Sequence, residues 1–466
     1  MGEKIMSATD SNITQLIVLG NGFDLHFGQK TRFENYIEKF NICDEVDKLN
    51  SLFNSLRKLG LKNASSTLVI QEYFDDNDHI GKIMAEVIDY VGNLKLDISK
   101  EEILKFYIKS WCNQFSIQVI PKIKEDMDST HPNLAKERIG LFNEMILKLN
   151  IIFGKSKSKI KELVRVTFWD VYLLYIKNKN VLHKNSNWSD VERQLLDFYN
   201  VETYQYFTDK LTKYESLSKV IQSFKNKPLR SKHYADNDFW LIIYTWVKDF
   251  GFSKINIDNY LYNELVKFSK NFVAFLKDQF DSQRKDSEDR KISEFVDSIA
   301  MNNEKFELLN FNYTEIESDN CVKQIHIHGS IKDLNVTPPI IGINVNDLNN
   351  NVKNNAFKMT KQYQLIVAPA GNKLDLTNIN TIIFYGHSLA LADYQYFKNI
   401  FDRVDLLKSS VKLIFKYSIF DPERKEEIQK GNYDSVYNLL KHYSDDTGVD
   451  VITTLILENR LKLQKI

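Results

Sequence analysis

His326 and His328 stand two residues apart in KQIHIHG (323–329), a spacing that turns both imidazoles to one face of a strand. An imidazole titrates near neutrality, so either could move a proton at physiological pH. His328, followed at once by Gly329 and Ser330 and lying opposite an early glycine turn, is the better placed as a general base. Such a base is worth roughly 10²–10⁴ in rate. The two histidines could also be half a metal site, but no third ligand has diagnostic spacing and no metal is expected. A core histidine satisfied by backbone is the plain alternative, and Asn312 in NFNYT has one too, an Asx turn at a strand end. A different chemistry is suggested by TIIFYGHSLALADYQYF (381–397), which reads strand, G-x-S-x-A, helix. That is close to a nucleophile elbow at Ser388, with Asp421 and His442 following in the required order. Ala390 replaces the last glycine, no HGGG-type oxyanion motif lies upstream, and few strands are expected to follow, so a serine hydrolase ranks behind. In NWSDVE (187–192), Ser189-x-x-Glu192 has the form of a capping box.

These residues need a scaffold, and the glycines outline one. LIVLGNGFDLHFGQKTRFENYIEKF (16–40) reads strand, glycine-rich turn, helix. Gly20 and Gly22 would let an anion approach backbone N–H groups at a helix start. The third glycine of the dinucleotide fingerprint is missing, an ordinary βα turn fits equally, and Asp24 and Thr31 fit as helix caps. There is no P-loop, since Leu149 stands where Gly154-Lys155-Ser156 would need its leading glycine. After residue 305 come KFELLNF, KQIHIHG, PPIIGIN, YQLIVAP, TIIFYG and VKLIFKY. These short β-branched or aromatic runs suggest strands covered on both faces. Between them and the amino terminus glycines are thin, and FNEMILKLNIIF, FWDVYLLYIKN and NELVKFSKNFVAFLKDQF carry helical spacing. The expected fold is α/β: a Rossmann-like parallel sheet domain from residues 1–40 and 300–466, with a large α-helical insertion over 41–299.

The chain has 466 residues, 43% of them apolar and 27% charged, which excludes disorder and low complexity. Lysine plus arginine (62) balances aspartate plus glutamate (62), leaving no broad field for nucleic acid or anionic lipid. KSKSKIKE (155–162) and FKNKPLRSK (224–232) read as solvated faces or loops. Cys43, Cys112 and Cys321 form no CxxC pair, which suits a reducing compartment. With neither a signal-peptide core nor an apolar run near the ~18 residues of a membrane span, a cytoplasmic protein is expected.

GNGFDLHFGQKTRFENY resembles the opening signature of the AbiH family, bacterial proteins associated with abortive infection by phage. NWSDVE, LNFNYTEIE, IHIHGSI, IIGIN and YGHSLALADYQYF resemble further blocks of that family in the same order. A more distant resemblance is to sirtuin-like NAD-binding domains. Gly20-Asn21-Gly22 is similar to their GAG turn, Thr31-Arg32-Phe33 falls near their PDFR segment, and Asn312 stands at the place of their NAD-site asparagine. His328-Gly329-Ser330 matches the HGS carrying the catalytic histidine, and Gly386-His387-Ser388 resembles the turn that touches the adenosine half. Asn21 in place of alanine, NYT in place of NID, and the missing zinc cysteines disfavour a protein deacylase.

The resemblance implies a sirtuin-like domain that binds NAD as substrate and hydrolyses its nicotinamide–ribose bond. Nicotinamide leaves neutral from a cationic ring, so a base and an orienting amide suffice: His328 and Asn312. Nucleotide contacts would come from Gly20, Asn21, Gly22, Phe23, Asp24, Thr31, Arg32, Gly329, Gly386, Ser388 and Asp393, with Glu192 or Asp190 reaching in from the insertion. The alternative of another class is a non-catalytic nucleotide sensor or interaction protein. Either reading admits a phage-derived trigger or partner protein, and a homo-oligomer is among the open assembly states.

Overall fold

The computed structural model describes residues 13–29, 31–40, 43–62, 77–127, 132–155, 166–178, 188–200, 257–283, 286–332, 339–345, 348, 356–367 and 374–466. The charged stretch 224–232 and all but the first residue of 155–162 lie outside them. The described contacts group the chain into two compact units, Met1–Tyr36 with Lys184–Asp197 and Leu265–Ile466, and Ile37–His183 with Phe198–Glu264.

The first unit carries a six-stranded, wholly parallel sheet in the order β3-β2-β1-β4-β5-β6. β1 is Gln15–Leu19, followed by the short helices α1 (Asn21–His26) and α2 (Phe33–Glu38). The described helices before the second strand are α3 (Cys43–Lys62), α4 (Asn77–Asn93), α5 (Ile98–Gln118), α6 (Ile120–Met127), α7 (Pro132–Lys155), α8 (Phe168–Asn178), α9 (Trp188–Asn200), α10 (Ile257–Gln283) and α11 (Asp286–Ile299). Then come β2 (Phe306–Asn310), β3 (Cys321–His326), α12 (Lys361–Val367), β4 (Thr381–Tyr385), α13 (Tyr394–Arg403), β5 (Lys412–Tyr417), α14 (Lys425–Thr447), α15 (Val451–Leu457) and β6 (Leu461–Lys465). The chain is therefore α/β, a Rossmann-like sheet with long helical material between its first two strands.

β1 is central, and all five of its residues are buried because the sheet is covered on both faces. Side chains alternate across a strand. Leu16 and Val18 accordingly join Phe397, Phe401, Leu440 and Leu455 on the face of α13, α14 and α15. Ile17 and Leu19 join Phe23, Val296, Leu308 and Ile383 on the face of α1 and α11. The second unit is helical among its described residues. There Trp169 Nε1 donates to the Leu261 carbonyl at 3.0 Å, and the Phe168 amide donates to Glu264 Oε2 at 3.0 Å.

Two strand expectations need correction, and one strand was not foreseen. YQLIVAP does not form a strand: residues 361–367 are the helix α12. Lys361 and Gln364 share its buried face at helical i,i+3 spacing, while Ile366 and Val367 are exposed. PPIIGIN makes only an isolated bridge, Ile343 to Thr360, and Gln364 Nε2 secures that segment by donating to the Ile341 carbonyl at 2.9 Å. Conversely, LKLQK (461–465) forms β6. As an edge strand with alternating polar residues it lacks the continuous apolar run that marks its neighbours. Few strands follow β4, as expected, but with β5 and β6 beyond it β4 is still an interior strand.

Candidate active site

In an open parallel sheet, ligands bind at the carboxyl ends of the strands where the strand order reverses. Here that point lies between β1 and β4. A cavity of about 430 Å³ opens there, within the usual range for small-molecule sites. The turn after β1 contributes Asn21 and Gly22, the segment between α1 and α2 contributes Thr31 and Arg32, and the end of β2 contributes Phe311, Asn312 and Tyr313. His328 follows β3, and Gly386, His387 and Ser388 follow β4. Asp393 sits immediately before α13, Ser418 and Phe420 follow β5, and Glu192 comes from α9.

The glycine turns are built for backbone contact. Gly386 has φ +66°, and a Cβ there would lie 2.4 Å from the Phe23 nitrogen; a Cβ on Gly20 would meet His387 Cα at 2.4 Å. The turns after β1 and β4 thus interlock, with the Gly22 amide donating to the Gly386 carbonyl at 2.7 Å and the Phe23 amide to the Gly20 carbonyl at 2.9 Å. Of the two readings open for this turn, an anion cradle and an ordinary βα turn, the bonds favour the second, since those N–H groups are spent within the protein. Gly20 does not line the cavity, but its carbonyl accepts Asn312 Nδ2 at 3.1 Å. Phe23 is core, packed on Phe27, Phe295 and Tyr385. Asp24 is buried behind the wall, accepting Thr314 Oγ1 at 2.8 Å. Gly329 serves a turn with φ +89° and is also outside the wall. The other expected contacts, Asn21, Gly22, Thr31, Arg32, Gly386, Ser388 and Asp393, all face the cavity.

Asn312 and His328 share that cavity. Asn312 is 2% exposed; its Nδ2 is held by Gly20, while its Oδ1 is buried without a hydrogen-bond partner. Its backbone carbonyl lies 3.1 Å from His326 Nδ1, and His326 Nε2 lies 3.2 Å from Glu315 Oε1. The hydrogen bond from His326 holds the Glu315 carboxyl down at about 2. His326 is therefore a brace behind the asparagine and not a wall residue.

His328 Nε2 lies 3.5 Å from Asp393 Oδ1. Asp393 is the hub of a buried polar cluster. Lys361 Nζ lies 2.9 Å from Asp393 Oδ1 and 2.9 Å from Glu192 Oε1, and His387 Nε2 lies 3.5 Å from Asp393 Oδ2. The Leu389 amide donates to His387 Nδ1 at 2.9 Å, so the proton of that ring sits on Nε2, facing Asp393. Burial pushes the His387 imidazole down to about 4, against the pull of Asp393, and it is neutral at pH 7. Burial alone would raise Asp393, but Lys361 and the two histidines hold it well below the carboxylate range. Burial dominates at Glu192, whose carboxyl is raised despite Lys361. The flanking carboxylates outweigh burial at Lys361, which stays charged.

Glu192 thus reaches the site, and not as a capping box: α9 begins at Trp188, so Ser189 lies inside its first turn. The side chains of Trp188, Ser189 and Asp190 lie outside the described residues. Sequence reasoning missed Lys361, which carries no motif and sat beside a segment expected to be a strand. The serine-hydrolase constellation does not assemble. Asp421 caps the turn at Pro422–Arg424 by accepting the Glu423 amide at 3.0 Å, and His442 packs on the Tyr394 ring. Among the described residues no hydrogen bond joins Ser388, Asp421 and His442, and the left-handed residues of the turn are Gly386 and Leu389, not the serine. The described residues contain no group of three histidine, cysteine, aspartate or glutamate side chains able to hold a metal, and no helix among them is long and apolar enough to cross a membrane.

Residues 16–417 match the family described as Bacteriophage abortive infection AbiH, which is most of the chain, and the chain belongs to that family. That membership places it in bacteriophage abortive infection. No curated protein and no solved structure matches it.

Proposed function

For an AbiH-family chain with this cavity at the switch point of its sheet, we propose an abortive-infection effector that binds NAD and hydrolyses the nicotinamide–ribose bond. One observation carries the reading. A buried amide with a free acceptor, Asn312 Oδ1, and a histidine paired to a buried carboxylate, His328 with Asp393, face one cavity at the carboxyl ends of β1 to β4. A buried acceptor left unpaired costs about 1–3 kcal/mol, which a donor such as a ribose hydroxyl or the attacking water would recover. The order of the GNG, NFN, HGS and GHS segments supports the same ligand.

His328 Nε2 lies 3.5 Å from both Asp393 Oδ1 and Lys361 Nζ; in the tautomer that donates Nε2–H to Asp393, the Nδ1 lone pair is the base. The C1′–N1 bond breaks and its electron pair neutralises the pyridinium ring. Water oxygen bonds to C1′ of the ribosyl cation, and its proton passes to His328 Nδ1 while Asp393 stabilises the imidazolium. Asn312 orients the water or the ribose. Arg32, with Thr31 beside it, is the positively charged wall residue suited to the diphosphate.

The test is nicotinamide release from NAD by the purified chain, beside folded Asn312→Ala and His328→Ala variants. Release by the parent and a loss of about 10²-fold or more in both variants supports the reading. Equal release from all three overturns the site. No release, with NAD still raising the melting temperature, favours the non-catalytic nucleotide sensor.

A further inference from the structure

The wall near His328 carries an unbalanced charge. Two carboxylates, Glu192 and Asp393, share one ammonium, Lys361, each at 2.9 Å. The Lys361 side chain is 1% exposed and lies behind the wall, whereas Glu192 and Asp393 both face the cavity. His387 is neutral and adds nothing to the sum. The group therefore sets two carboxylates against one ammonium, and a buried carboxylate short of a full partner is costly until something of opposite sign meets it. Its two carboxylates are not equivalent. Asp393 is committed on both oxygens, to Lys361 and His328 on one and His387 on the other. Glu192 meets Lys361 through Oε1, which leaves Oε2 for a ligand. Asn312, whose Oδ1 is buried without a partner, lines the same cavity and independently marks it as a place where a ligand docks.

We propose that Glu192 is a further catalytic residue, the counter-charge to a cationic N-glycoside, so that the site selects a ligand with a positively charged ring. The inference rests on the nucleotide reading above. In the ground state the positive charge sits on the pyridinium. As the C1′–N1 bond breaks, the electron pair moves to the ring, nicotinamide departs neutral, and the charge appears on the ribosyl C1′ and ring oxygen. A carboxylate fixed nearer to C1′ than to the ring attracts the charge at its start and more strongly once it reaches the sugar, and stabilisation that grows along this path lowers the barrier. Reduced dinucleotide, with a neutral ring, gains nothing from Glu192. Lys361 holds the carboxylate at the wall, and α9 delivers it there from between α8 and α10 in the chain.

The experiment is ligand binding by the full chain, measured by calorimetry with three probes: carba-NAD, whose carbocyclic ribose resists cleavage while the ring stays cationic, NADH, and ADP-ribose, which lacks the ring. The parent is expected to bind carba-NAD at least about tenfold more tightly than NADH. Glu192→Gln should bring the two within about twofold while leaving ADP-ribose affinity within about twofold, and Glu192→Asp should keep the preference. If Glu192→Gln alone does not fold, Glu192→Gln with Lys361→Met removes the pair together and should show the same lost preference. A parent that binds ADP-ribose but does not distinguish carba-NAD from NADH overturns this inference and leaves the nucleotide reading standing, as does a preference that survives Glu192→Gln. A parent that binds none of the three overturns the nucleotide reading, and this inference falls with it.

Discussion

Replacing Lys361 by methionine tests whether the buried cluster is held by charge balance. The lysine is buried and lies 2.9 Å from a carboxylate oxygen on each side, so those two oxygens are at most 5.8 Å apart (2.9 + 2.9). Methionine matches the length of the stem but supplies no charge and no donor. Two buried carboxylates then face each other, and removing one partner of a buried ion pair costs about 3–5 kcal/mol. Lys361→Met should therefore lower the unfolding free energy by about that amount at pH 7.5 in urea titrations. The deficit should shrink as the pH is lowered, because the raised Glu192 carboxyl takes up a proton in place of the lost ammonium. Adding Glu192→Gln to Lys361→Met removes the repulsion and should bring the chain back to within about 1.5 kcal/mol of the parent. A single variant within about 0.5 kcal/mol of the parent, or a double variant no better than the single, would refute the charge-balance argument.

Three further outcomes follow from the geometry. Gly386→Ala should cost more than about 2 kcal/mol, through a positive φ and a Cβ 2.4 Å from the Phe23 nitrogen, whereas Gly28→Ala, with φ +71° but open space around it, should cost about 1 kcal/mol; equal costs in urea titration would show that the interlocked turns contribute nothing. His387 is held at about 4 against 6.5 for a free imidazole, so between those values the unfolded chain carries a proton that the folded chain lacks, and stability falls as pH drops from 6.5 through 4. That window holds up to about 3 kcal/mol, and His387→Gln should flatten it in a pH series of denaturation curves. His442→Ala should leave nicotinamide release within about twofold, since His442 packs on Tyr394 and bonds neither Ser388 nor Asp421; a loss of about 10²-fold would return Ser388 as a nucleophile.

The strands with continuous apolar runs were legible because burial on both faces leaves no room for alternation: QLIVL, FELLN and TIIFY lie in the middle of the sheet as their composition demands. LKLQK was illegible because an edge strand half in solvent looks like any amphipathic segment. YQLIVAP misled for a related reason. Its apolar residues are the exposed end of a short helix, while the residues that position it, Lys361 and Gln364, are polar and buried. Short apolar runs cannot by themselves separate strand from helix. In the site, Asn312 and His328 could be found because each follows a strand, and strand ends converge. Lys361 could not, because its importance arises from two carboxylates separated from it by 169 and 32 positions, Glu192 and Asp393, which only the fold brings together.

The glycines of the first turn admitted two readings, approach of an anion and an ordinary βα turn, and the hydrogen bonds favour the second. Their missing side chains admit the turn after β4, not a phosphate, and the N–H groups that would have bound an anion are already bonded to Gly386 and Gly20 carbonyls. That shifts recognition from backbone to side chains. The interlock fixes His387 against the Gly20 position, the Leu389 amide fixes the proton of His387, and His387 faces Asp393, which in turn faces His328. A turn that looked like a ligand cradle is thus the first link in a chain of contacts that runs through His387 and Asp393 to His328. The same turn holds Asn312 through the Gly20 carbonyl. Disturbing the turn should therefore reach both members of the proposed catalytic pair at once, and this is a stronger reason for two glycines there than room for a phosphate.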